Sequence, residues 1–189
     1  YNGNTMSEIQ VNTINEYTSG NGVSVDGLSI KDGQVTDFMF DIWRQTADRS
    51  GSAGDYELTS NWEKVDDATI GFIGTGMSES SGIFTFPQTG IYKITFSVQV
   101  NNSSDTDGVQ ANILATTNNS SYSTINSRGI SIRSTGDTEE GYAITSFDCT
   151  DTSTHKLKFV AADFKSTTVL EGSSTNSETY VIFERLGDT

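Results

Sequence analysis

Cysteine, histidine and proline each occur once in these 189 residues, as Cys149, His155 and Pro87. A single cysteine excludes an intrachain disulfide, and its setting beside Phe147 and Thr145 reads as a buried small hydrophobe. One Cys and one His cannot furnish a zinc site within one chain. Cationic side chains are also scarce: 11 Lys and Arg stand against 25 Asp and Glu, a formal charge of −14. Such a surface repels phosphate backbones and anionic lipid, which argues against nucleic-acid partners and membrane surfaces. No apolar run has the length of a membrane-spanning helix, and no signal-peptide core is seen; Met6-Ser7-Glu8 reads as a start. Helical amphipathic periodicity is missing as well. The chain reads as one made in a cytoplasm that acts later, for example in a particle released by lysis.

What is present is β-structure. Only 33% of residues are hydrophobic, but ten Phe, seven Tyr and two Trp supply enough bulk for one core. Ser, Thr, Asn, Gly and Asp are abundant between short apolar segments, as turns require. The clearest segment is Gly82–Val100, GIFTFPQTGIYKITFSVQV. A short strand turns at Pro87 and Gly90 into a long one, where Tyr92, Ile94, Phe96, Val98 and Val100 alternate with Lys93, Thr95, Ser97 and Gln99. Period two over that length predicts a buried face and a wetter face of one sheet.

The pattern G-x-F-x-x-P-x-x-G-x-Y-x-[aliphatic]-x-F resembles the signature of the complement globular head and its tumour-necrosis-factor relatives. The closing segment Glu178–Leu186, ETYVIFERL, resembles that family's last strand. The resemblance implies an all-β, antiparallel jelly-roll β-sandwich over residues 37–189, working as a homotrimer. Strands are expected at Phe38–Trp43, Trp62–Val65, Thr69–Ile73, Gly108–Thr116, Arg128–Arg133, Glu140–Cys149, His155–Ala161 and Glu178–Leu186, with a loop from Ala47 to Tyr56. In the closing strand Tyr180, Ile182 and Leu186 oppose Val181 and Phe183, so both faces are apolar and both need cover. Tyr180, Ile182, Phe183 and Leu186 are therefore the candidates for a trimer interface.

Residues 1–36 form a different region. Isolated aliphatics are separated by Gly20-Asn21-Gly22, Asp26-Gly27 and Asp32-Gly33, which signal hairpin turns between strands of four or five residues. So short a β-rich arm cannot offset its own ordering entropy and must dock or intertwine. Ile14–Val35, INEYTSGNGVSVDGLSIKDGQV, resembles a module of virion proteins of tailed, especially marine, phages. That resemblance implies an anchoring arm with Ile14, Val23, Val25, Leu28 and Ile30 at inter-chain contacts. A hairpin arm packed on its own domain is the alternative.

Chemistry is harder to find. His155 has no positioned nucleophile motif such as G-x-S-x-G and reads as a residue at the solvent edge of a strand. Adjacent carboxylates Asp66-Asp67 and Glu139-Glu140 point to opposite faces of a strand and suit no glycosidase pair. Calcium is the metal that loop oxygens could hold, at Asp66-Asp67, Asp105 with Asp107, or Asp148 with Asp151, but none follows the calcium-loop pattern. Trp43, Trp62 and Tyr122 could be sugar platforms if exposed; core packing is the expectation for the two tryptophans. The reading is a non-enzymatic phage structural protein on the virion surface. It would be a trimeric capsid decoration or head-fibre protein, its arm attached to a major capsid or tail protein. The alternative is a tail-fibre tip or secreted lectin-like module that binds host-surface glycans.

Overall fold

The structure, a computed structural model, describes residues 38–102 and 108–189 in full and, before them, the backbone of three short strands. It divides into two units, Tyr1–Asp37 and Phe38–Thr189.

In the first unit β1 (Val23–Val25), β2 (Leu28–Lys31) and β3 (Gln34–Val35) form an antiparallel sheet in that order. Val23 stands opposite Ile30 and Val25 opposite Leu28. The strands flank Asp26-Gly27 and Asp32-Gly33, where the sequence places hairpin turns. Ile14 lies outside the described residues.

The second unit begins with β4 (Met39–Gln45), β5 (Ala47–Ser50), β6 (Gly54–Glu57), β7 (Trp62–Lys64), β8 (Ser78–Ser80) and β9 (Ile83–Thr85). The long strands follow: β10 (Gly90–Asn102), β11 (Gly108–Thr116), β12 (Ser123–Ser131), β13 (Thr138–Cys149) and β14 (Lys156–Phe164). β15 (Thr168–Ser173) and β16 (Tyr180–Gly187) close the chain. One sheet has the order β5-β15-β10-β16-β4-β7, with β13 on the other edge of β10; the second has the order β12-β11-β14-β9-β8, with β6 also on β14. The ladders are antiparallel throughout. No α-helix occurs among the described residues.

The two sheets enclose one core. Phe84 sits at its centre, with the rings of Trp62, Phe159, Phe183 and Trp43 5.2–5.6 Å away. Tyr92, Ile94, Phe96, Val98 and Val100 are fully buried, as their alternation predicts. The glycines of the signature have a geometric reason. Gly82 (φ +78°) and Gly90 (φ +145°) lie where side-chained residues are strained, and a Cβ would come within 2.5 Å of Leu58 O and of Gly187 O respectively. Between them the Tyr92 hydroxyl donates to Gln88 O at 2.8 Å, so the tyrosine pins the turn as it fills the core.

Several expected elements differ. Ala47–Tyr56 is no loop but carries β5 and most of β6; as exposed strands at sheet margins they do not need apolar alternation. Thr69–Ile73 is not a strand: Ile73 makes one isolated bridge to Phe40, and Ile70, Phe72 and Ile73 are exposed. The Arg128–Arg133 strand begins earlier, at Ser123. In β4, Met39 and Trp43 face the core beside Asp41, whereas Phe40 and Ile42 point out.

Candidate functional site: an exposed apolar sheet face

The outer face of the first sheet is assembled from four strands whose registers are fixed by their ladders. One row across β4, β16, β10 and β13 is Ile42, Ile182, Thr95 and Ile144; the next is Arg44, Tyr180, Ser97 and Tyr142. A third row, Phe40, Glu184, Lys93 and Ser146, is more polar, with Lys93 and Glu184 ion-paired at 2.6 Å. Ile144 is 53% and Tyr142 43% exposed, with Tyr180 and Ile182 half-buried beside them. Large apolar side chains contiguous on a solvent-facing sheet are characteristic of interaction surfaces.

Polar groups rim this centre and are already engaged. Ser97 Oγ donates to Glu140 Oε1 and Gln99 Nε2 to Glu171 Oε2, both at 2.6 Å. The hydrogen bond to Glu140, helped by burial and by Tyr180, holds the Tyr142 phenol well above its ordinary pKa. Burial, with Glu171 and Asp48 nearby, raises Glu178. Arg44 is almost fully buried at the margin, its Nη1 2.6 Å from Asp67 and its Nε 3.3 Å from Glu63. Asp67 is the chief reason that its pKa rises further. On the core side of β4, away from this face, Asp41 accepts from Trp43 Nε1 and Met77 N and lies 3.1 Å from Lys64 Nζ. An apolar centre inside a hydrogen-bonded rim is how protein interfaces are built.

The four candidates from the closing strand separate accordingly. Tyr180 and Ile182 lie on the outer face. Leu186, 57% exposed, joins Phe38, Phe40 and Ile73 around an apolar hollow of about 290 Å³. Phe183 is a correction: it is fully buried among Phe84 and Phe159, because alternation sends it to the core side, and it does not reach a neighbour. Tyr142 and Ile144 were missed. Their signal was legible, since in β13 they oppose Ala143, Phe147 and Cys149 just as Tyr180 and Ile182 oppose Val181 and Phe183.

The other singled-out residues do not converge on a reaction centre. His155 is a correction: it is only 8% exposed, with Nε2 3.2 Å from Thr150 Oγ1 and Nδ1 3.0 Å from Thr154 Oγ1. Burial pushes the Cys149 thiol up to about 11. Trp43 and Trp62 pack edge-on against Phe84 in the core, and Lys158 Nζ covers one face of Tyr122 at 4.5 Å. Asp67 is paired with Arg44, and Asp151 accepts from Ser153 N and Oγ. Among the described residues no three His, Cys, Asp or Glu side chains gather as a metal site, and Asp105 and Asp107 lie outside them.

No family model and no curated protein matches this chain. Solved structures do. Murine APRIL (crystal structure at pH 8.0) superposes with a TM-score of 0.52 at 17% identity, over 79% of this chain and 100% of that one. Eiger TNF from S. frugiperda gives 0.55 at 12% identity, over 80% and 94%. The fold is a TNF-like jelly roll. At such identities the likeness speaks for the fold alone. Within this TNF-like jelly roll, the candidate face belongs to the sheet of β4, β16, β10 and β13.

Proposed function

We propose that the chain is a non-enzymatic virion structural protein that works as a homotrimer. Three copies meet through the outer sheet face, with Tyr142, Ile144, Tyr180 and Ile182 at the contact and Leu186 at its margin. The observation that carries this reading is the exposed apolar centre of that face, where Ile144 and Tyr142 are half open to solvent in one protomer. Three such charges of −14 repel one another, so association rests on apolar burial, and added salt strengthens it by screening. The arm supplies attachment to a major capsid or tail protein at the virion surface through Ile14, Val23, Val25, Leu28 and Ile30. Its support is the resemblance of Ile14–Val35 to phage virion arms.

Sedimentation of the full chain at micromolar concentration tests the assembly. The expected mass is three chains for the natural sequence and one for an Ile144→Asp, Tyr142→Asp double variant. A single-chain mass for the natural sequence refutes it. Particle incorporation tests the arm: Leu28→Asp should leave the head trimeric yet absent from particles, and full occupancy would move the attachment surface to the jelly roll.

A further inference from the structure

On the second sheet, whose edge strand β12 adjoins β13 where Asn126 Nδ2 donates to Ile144 O at 3.0 Å, the strands part. β14 pairs with β11 only as far as Gln110 opposite Ala162, while β11 continues along β12 to Gly108 opposite Ser131. β6 runs along the other edge of β14, opposite Val160 and Ala161, and that edge bulges before Phe164 meets Gly54. Asp163 sits in the bulge at φ +60°, a left-handed conformation that Asp tolerates better than most residues. The separation opens a cleft of about 530 Å³ between β11 and β12 on one side and β14 and β6 on the other. That volume is within the range of roughly 300–1,000 Å³ typical of small-molecule sites.

The cleft's polar groups are positioned in advance. Ser127 Oγ donates to Gln110 Oε1 at 2.9 Å, and Gln110 Nε2 donates in turn to Asp163 Oδ2. The Asp163 backbone N–H donates to Asp55 Oδ1 at 3.1 Å. The carboxylate is held through Oδ2 and its backbone through Asp55, while Oδ1 accepts from no donor among the described residues. Nor does the exposed Ser131 hydroxyl have a partner among them. Gly54 and Gly129 form walls without side chains, and a Cβ at either would meet nothing within 4 Å.

The geometry points to a binding site for a neutral saccharide in this cleft, with Asp163 and Ser131 as the recognising groups and glycine walls admitting the ring. Vicinal hydroxyls are donors and acceptors at once, and they match a carboxylate and a hydroxyl that line one cleft. An anion is disfavoured, because Asp163 and Asp55 outnumber Lys165, the one cation lining the cleft among the described residues. A planar base is disfavoured too, because Phe164, the one lining aromatic there, is turned into the core. The inference goes beyond the assembly reading, and because Gly129 and Ser131 also border Tyr142 and Ile144 it is tested on the chain in its assembled state.

The test is saturation-transfer NMR on the full chain with glucose, galactose, mannose, N-acetylglucosamine and their disaccharides, with N-acetylneuraminic acid as the charged comparison. At least one neutral sugar should bind saturably with a dissociation constant in the range of about 1–10 mM, corresponding to roughly 3–4 kcal/mol. Gly129→Tyr, which fills the cleft from an open wall, should abolish the signal with the melting temperature unchanged. Asp163→Asn keeps a residue tolerant of the backbone but removes the charge, and should weaken binding about tenfold, the scale of one charged hydrogen bond. The proposal is overturned if no neutral sugar binds up to about 50 mM. It is equally overturned if the charged sugar binds best, or if either variant binds like the natural protein.

Discussion

Replacing Phe96 by alanine removes a ring that has no solvent exposure and lies 4.8 Å, centroid to centroid, from Phe159. β10 holds that position between β16 and β13, opposite Val181 and Ala143, so the backbone has little freedom to close around the loss. Lost transfer energy and the residual cavity together should cost about 3–5 kcal/mol. For a chain of this size about 1 kcal/mol moves the melting temperature by roughly 2–4 °C, so Phe96→Ala should melt some 6–20 °C lower. The neighbouring Thr95→Ala provides the internal control. Thr95 points to the opposite face, between Ile182 and Ile144, so its truncation leaves the protomer core untouched and moves the midpoint only through contact between copies, which repeating the scan at higher dilution removes. The assay is calorimetry of both variants at one fixed protein concentration, because any linked dissociation makes the midpoint concentration-dependent. Equal shifts for the two variants would show that the period-two register of β10 is wrong.

Gly90→Ala should destabilise by about 1–3 kcal/mol in denaturant titration, since its Cβ would strike Gly187 O and the Arg185 side chain at a φ of +145°. Alkali should also weaken the fold. Burial pushes Cys149 up from an ordinary 9.0 to about 11 and Tyr92 up from 10.0 to about 12, so both stay protonated in the native state while the unfolded chain ionises. Their contribution is intact below pH 9 and is lost as pH rises through 11 to 12; Cys149→Ala should flatten the first part of that loss. Titration with a thiol reagent at pH 8 should label Cys149 only on unfolding, and rapid labelling of the folded chain would contradict its burial.

Legibility in the sequence followed burial. Where a strand is covered on one face, as in Tyr92–Val100, alternation is enforced by the core and can be read directly. β5 and β6 lie where nothing enforces it, so Ala47–Ser50 and Gly54–Glu57 resemble loop. The opposite error arose at Ile70, Phe72 and Ile73, whose apolar character imitates a strand although all three are exposed. For the candidate face, parity in the closing strand identified Tyr180 and Ile182; the same parity would have returned Phe183 to the core and added Tyr142 and Ile144. The pairing of buried Arg44 with Glu63 and Asp67, 19 and 23 residues away, left no local trace, because charge partners across a turn have no period.

The position of β16 between β4 and β10 sets a schedule for synthesis. β4 from Met39 to Arg44 and β10 from Ile91 to Ser97 each present an edge that Tyr180–Gly187 fills, so the centre of the first sheet stays open until residue 187 has emerged from the ribosome. At about 5–20 residues per second, β4 waits roughly seven to thirty seconds for its partner. During that interval Phe84 and Phe159 lack the Phe183 ring, and two unpaired edges are open to other nascent chains. Yield in cells should therefore depend on chaperone supply and on growth temperature during translation, even for variants whose finished fold is as stable as the natural one.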